Sequence, residues 1–137
     1  MLRCGDTFLL PKSAYAVEHL WIVITDPEPE TNKAVCVNIT SRSGYSEAAV
    51  LVQPSEHPFV KHESVINYRD ACELDLGKVF QVLTTKTPQR FAFGIYDPCS
   101  PELLRRIQDG LLSSPHVSKR IKEYCSRKWQ VPPATRI

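Results

Sequence analysis

A chain of 137 residues that is 42% apolar, 9% aromatic and 23% charged has the size and composition of one globular domain. It is long enough to bury a core without staples, and its composition excludes disorder. The charge is uneven: residues 1–100 carry 9 basic and 12 acidic side chains, and residues 101–137 carry 8 basic and 3 acidic, so the tail either faces an acidic partner or nucleic acid or is a solvated helical face.

In chain order, Thr7 to Leu10 reads as a short strand. Leu20 to Thr25 (Leu-Trp-Ile-Val-Ile-Thr) is aromatic, β-branched and apolar throughout, which suits a buried central strand, although a helix has the same periodicity over so short a run. Asp26 to Asn32 is a turn stiffened by Pro27 and Pro29. Lys33 to Thr40 and Ala48 to Gln53 read as strands that pair with each other, joined by the loop that begins at Ser41. Pro54 and Pro58 keep Pro54 to Lys61 out of a central strand. Ser64 to Tyr68 and Ala71 to Leu74 read as two further strands, with a bend at Leu76-Gly77. Val79 to Thr84 is helical or extended, Thr84 to Pro88 is a loop, and Arg90 to Ile95 alternates Phe91 and Phe93.

From Ser100 the period changes. Ser100-Pro101-Glu102 combines a serine N-cap, proline at the first helical position and an acid in the first turn. Leu103, Leu104, Ile107 and Leu111 follow at helical spacing, and Gly110 weakens the last turn. Ser114-Pro115 predicts a second start, with Val117, Ile121 and Tyr124 as the inner stripe. Pro132 and Pro133 stop it, and Trp129 folds back or anchors a partner.

Several short strands without crossover helices exclude a parallel βαβ sheet. The expected fold is mainly β with C-terminal helices, a small SH3-like antiparallel β-barrel. Residues 1–99 form the barrel body, 100–129 two helices packed on it, and 130–137 a tail.

The five cysteines (Cys4, Cys36, Cys72, Cys99 and Cys125) are widely spaced and odd in number, which fits inert thiols in a reducing compartment. No stretch reads as a signal peptide or as the roughly 20 apolar residues that span a bilayer, so a cytoplasmic protein without a membrane partner is expected. No Walker motif, dinucleotide loop or hydrolase elbow occurs, and five glycines leave little for a cofactor cradle. No cofactor and no metal are expected.

Of the four histidines, His57 and His62 stand in a polar loop with Lys61 between them and Ser64, Tyr68 and Arg69 beyond. They suit an acid–base pair beside a phosphate held by Lys61 or Arg69, with Thr40 and Ser41 at a strand end. The alternative is structural: His57 caps a turn and Lys61 is solvated. His19, after Glu18, either orients a ligand or bonds to Glu18 or backbone. His116, in a first helical turn, reads as structural. Trp21, Tyr45, Phe59, Tyr68 and Tyr96 are either a stacking surface for bases or core and rim residues.

The blocks Gly5-Asp6, Trp21 to Ile24, Val37-Asn38-Ile39-Thr40-Ser41, Ser64-Val65-Ile66 with Arg69-Asp70, and Ser100-Pro101-Glu102-Leu103-Leu104, in that order, resemble the MazF/PemK-like toxin family (plasmid maintenance toxins, cell growth inhibitors). The resemblance implies an SH3-like barrel, dimerisation, metal-independent cleavage of single-stranded RNA and neutralisation by a small antitoxin. Thr40 and Ser41 match the block bordering the family's RNA site. Where the family commonly carries an arginine, Pro11 to His19 offers Lys12 and His19.

Two functions follow as expectations. One is a metal-independent endoribonuclease or RNA-binding protein of a toxin–antitoxin-like system, with His57 and His62 as acid and base, His19 in reserve, and Thr40, Ser41, Lys61, Ser64, Tyr68 and Arg69 on the substrate. The other is a non-catalytic binding module on the same barrel, contacting a protein or nucleic acid. A small enzyme acting on some other substrate also stays open.

Overall fold

The computed structural model describes residues 2–11, 18–42, 50–85 and 95–131. Within them lie the strands β1 (Thr7–Pro11), β2 (Glu18–Val23), β3 (Lys33–Ser41), β4 (Leu51–Val52), β5 (Ser64–Asp75) and β6 (Ile95–Tyr96). The helices are α1 (Leu76–Thr85), α2 (Pro101–Ser113) and α3 (Lys119–Trp129), and Pro54–Glu56 forms a 3-10 turn. The strands make one sheet in the order β4-β5-β3-β2-β1-β6, and every pairing is antiparallel.

The continuous apolar run of β2 is explained by cover on both faces. Leu20, Ile22 and Ile24 pack with Val35, Val37 and Ile39 under α2 and α3, through Leu103, Ile107, Leu111, Ile121 and Cys125. Trp21 and Val23 point the other way, against Phe8, Ala34 and Cys36 and under Leu76, Val79 and Leu83 of α1. Gly5 enters β1 at φ +94°, a conformation open to glycine. Its N–H donates to Val23 O (2.7 Å) and its carbonyl accepts from Cys99 N (2.7 Å).

Three expectations about the strands are corrected. β3 and β4 do not pair; β5 lies between them, because only a strand as long as Ser64–Asp75 can cover the nine residues of β3. The two segments expected at 64–68 and 71–74 are this one strand, broken in register. Cys36 faces Cys72 and Asn38 faces Asn67, so Tyr68 to Ala71 stand opposite Val37 alone. Such an irregularity bends a strand, and it sends Tyr68 into α2. Finally, the barrel does not close: among the described residues β4 and β6 are unpaired edges of a curled sheet. Both edges are two residues long, which limits the unsatisfied backbone they present.

A helix also lies between strands, since Leu76–Thr85 is α1. It begins where the sequence suggested a bend, with Asp75 Oδ1 accepting from Lys78 N (3.1 Å). α2 starts as expected, with Ser100 Oγ accepting from Leu103 N (3.2 Å) and Pro101 at its first position. The second C-terminal helix starts four residues later than Ser114-Pro115 suggested: Ser114 closes α2 through N–H to Leu111 O, and Ser118 caps α3 by accepting from Ile121 N (3.2 Å). A start at Ser114 would leave no residues for the reversal between two packed helices.

Both C-terminal helices are fastened to one carbonyl. Ile24 O accepts from Gln108 Nε2 of α2 (3.0 Å) and Trp129 Nε1 of α3 (3.1 Å). Trp129 therefore folds back onto the sheet end. Arg106 of α2 donates to Leu51 O (2.7 Å) and pairs with Glu56, capping the β4 edge. Tyr45, Phe91, Phe93, Lys12, Pro132, Pro133 and most of the loops expected at 41–46 and 84–88 lie outside the described residues.

Candidate functional site: a pocket at one end of the sheet

β2 and β3 run antiparallel, so the start of one meets the end of the other. His19 near the start of β2 and Ile39 to Ser41 at the end of β3 therefore share a sheet end. The chain from Pro58 to Ser64 returns across that end into β5, where Ser64 is the register partner of Ser41. Tyr96 arrives on the short β6. Together His19, Ile39, Thr40, Ser41, Pro58, Phe59, Val60, Lys61, His62, Ser64 and Tyr96 line a cavity of about 560 Å³, within the usual size of small-molecule sites.

His19 is half-buried, and its Nδ1 lies 3.3 Å from Ile39 O. A carbonyl only accepts, so Nδ1 carries the proton, and in the neutral ring Nε2 is an acceptor. His62 is exposed, with Nε2 2.8 Å from Ser41 Oγ. Lys61 is exposed on the rim. Phe59 and Tyr96 meet edge to face, with centroids 5.5 Å apart at 83°. No carboxylate lies among the described lining residues. The adjacent Glu63 is held by Gln53 Nε2 (2.8 Å) and Arg42 (2.7 Å), and these bonds draw its carboxyl below the usual range.

His57 stands apart from this cavity. It is 4% exposed; its Nε2–H donates to Asp97 O (2.7 Å) and its Nδ1 accepts from Phe59 N (3.1 Å). Both ring nitrogens are committed, so it holds no free position for proton transfer. It clips the turn carrying Phe59 to the strand exit after Tyr96, and thereby sets the aromatic pair. Thr7 Oγ1 donates to the same Asp97 carbonyl (2.8 Å).

Of the expected site residues, the structure thus brings together His19, Thr40, Ser41, Lys61, His62 and Ser64. Tyr68 is 1% exposed and donates to Ile107 O (2.8 Å) in the core. Arg69 is exposed, on the part of β5 that bulges away, and does not line the cavity. Trp21 is buried under α1's side of the sheet, leaving Phe59 and Tyr96 as the described aromatics at the site. Their pairing had no local signal, since it joins segments far apart in sequence.

Chemistry based on thiolates is disfavoured. The five cysteines are free, and Cys36, Cys99 and Cys125 are buried. Burial, above all, raises the thiols: Cys4 to about 11, Cys99 and Cys125 to about 12, Cys36 further still. Among the described residues no group of three or more His, Cys, Asp and Glu is arranged to hold a metal, and no helix is long and apolar enough to cross a membrane.

Compared with known proteins, the chain matches no family model and no curated protein sequence.

Proposed function

We propose that this protein is a binding module whose pocket takes a nucleotide unit of single-stranded RNA. The observation that carries the reading is the pocket's composition. Lys61, His19, His62 and the hydroxyls of Thr40, Ser41 and Ser64 stand on one cavity with the Phe59–Tyr96 pair, and no described carboxylate opposes them. A nucleotide has the complementary parts, a phosphate for Lys61 and the hydroxyls not spent on the protein, and a base face for an aromatic ring. The block order resembling MazF/PemK-like toxins adds RNA as the polymer and an SH3-like reading of the curled sheet. That resemblance also brings in a second copy of the chain and a small antitoxin as partners, while the cysteine usage adds a cytoplasmic setting.

The test is fluorescence anisotropy with single-stranded RNA across a salt series. Single-strand binding falls with salt at about 0.7 log units per phosphate neutralised, so Lys61→Ala should lower the slope by about that amount. Phe59→Ala should weaken binding by about 1–3 kcal/mol, the usual worth of one stacked base. Affinity that is absent, or flat with salt, removes the reading.

A second reading, metal-independent cleavage of the bound strand, is favoured by one observation: two imidazoles line the same cavity. In that version His19 Nε2 takes the 2′-hydroxyl proton, the 2′-oxygen attacks phosphorus, His62 protonates the departing 5′-oxygen, and Lys61 offsets the charge. RNA that stays intact on prolonged incubation with wild type, in chelator, excludes it. Cleavage that survives His19→Ala, His62→Ala excludes the assignment.

A further inference from the structure

Ser41 ends β3 and His62 precedes β5, and the chain clamps the two together. Ser64, the cross-strand partner of Ser41, donates its hydroxyl to His62 O (3.0 Å). One residue further out, Arg42 and Glu63 form an ion pair (2.7 Å), and Gln53 holds the other carboxylate oxygen (2.8 Å). The chain that follows His62 is therefore tied to the strand bearing Ser41. His62 Nε2 sits 2.8 Å from Ser41 Oγ. A hydroxyl within hydrogen-bond reach of an imidazole, exposed at a cavity, supplies the nucleophile and base of the arrangement that activates a serine, whose third part is a group that orients the base.

We propose that Ser41 and His62 form a nucleophile–base pair that gives this pocket acyl-transfer activity toward small esters bearing a negative charge. His62 Nε2 accepts the Ser41 hydroxyl proton as Oγ forms a bond to the ester carbonyl carbon. The carbon–oxygen bond to the leaving alcohol breaks, and the imidazolium returns the proton to that oxygen. Water then repeats the sequence: it loses a proton to His62, attacks the acyl-serine and releases the acid, and Ser41 recovers its proton. The ester's charge is matched by Lys61 on the rim and by the lack of a described carboxylate in the lining. The pair needs no RNA, so this activity stands or falls apart from the binding reading.

Two probes test it on the full chain without RNA. A fluorophosphonate should form one adduct, mapped to Ser41 by peptide mass, with fluoride released; Ser41→Ala should abolish it and His62→Ala should slow it by about 100-fold. Between 4-nitrophenyl acetate and the 4-nitrophenyl monoester of succinic acid, wild type should prefer the anionic ester, and Lys61→Ala should lose the preference. Ser41→Cys gives an independent reading: its thiol should react with iodoacetamide about tenfold faster than in Ser41→Cys, His62→Ala. An adduct that survives Ser41→Ala, a labelling rate unchanged by His62→Ala, or no adduct on wild type overturns the proposal. RNA affinity, measured separately, reports on the other reading whatever the labelling shows.

Discussion

Replacing Gly110 by alanine sets two effects of known size against each other. Helix propensity alone predicts a gain of about 1 kcal/mol, because alanine restricts the unfolded chain and suits a helix interior. The packing predicts the reverse. A Cβ on Gly110 would stand 2.3 Å from Tyr68 Oη, 2.6 Å from Val50 Cγ2 and 3.0 Å from Tyr68 Cζ. Tyr68 cannot give way freely, since its hydroxyl donates to Ile107 O at 2.8 Å in the core. Overpacking of this kind costs about 1–3 kcal/mol, and a hydroxyl displaced from its buried acceptor about 1–3 kcal/mol more. The net expectation for Gly110→Ala is a loss of about 1–5 kcal/mol, measured by urea unfolding. A double-mutant cycle with Tyr68→Phe isolates the contact. Removing the hydroxyl leaves the ring carbon at 3.0 Å as the nearest atom of residue 68, so the alanine should cost about 1 kcal/mol less in that background. Stabilisation by Gly110→Ala, or an equal cost in both backgrounds, would refute the claim that this glycine is required by the approach of α2 to β5.

Three further outcomes are expected. His57→Ala should cost about 1–3 kcal/mol in urea unfolding, because Phe59 N loses its partner and Asp97 O keeps only Thr7 Oγ1, whereas the exposed His62→Ala should change stability by less than about 0.5 kcal/mol; equal effects would contradict the structural assignment of His57. Acid should erode stability through carboxylates held low in the folded state: hydrogen bonds from Arg106 lower Glu56, those from Tyr124 and Lys128 lower Glu28, and those from Gln53 and Arg42 lower Glu63. Their folded-state shifts are downward, so the contribution is complete above the ordinary value of 4.5 and is lost as pH falls below it. Glu56→Gln should therefore flatten a stability profile measured from pH 6 to pH 3, and an unchanged profile would discount the Arg106 contact. Trp129→Phe removes the indole N–H from Ile24 O while Gln108 still serves that carbonyl; a loss of about 1 kcal/mol is expected in thermal melts, and a loss above 4 kcal/mol would mean that the ring's packing dominates.

What reached the structure unchanged from the sequence is what local physics specifies. The Ser100-Pro101 cap and the Leu103–Ile107–Leu111 stripe specify α2, because a helix satisfies its backbone and sorts its faces within a few residues. The run expected as a strand from Leu20 to Thr25 supplies most of β2 (Glu18–Val23), because β-branched and aromatic residues fill both of its faces. The grouping of Thr40, Ser41, Lys61, His62 and Ser64 was half legible, since all of them sit at strand ends or in the loop that joins them. The start of α3 is not legible locally because Ser114 and Ser118 both offer a cap, and only the room needed for the turn decides between them.

The amino-acid order by itself determined strand-forming segments and helix caps, from interactions reaching four residues or fewer along the chain, and it offered a cluster of polar candidates. Tertiary structure alone decided that β5 separates β3 from β4 and that, among the described residues, the sheet has two edges. It also decided that His57 is spent on backbone while His19 joins the pocket, that Phe59 meets Tyr96, and that Gly110 makes room for Tyr68. Each of these turns on a contact between distant segments, set by strand register, by the irregularity opposite Val37 and by the volume two packed elements leave between them, none of which any short window of sequence encodes.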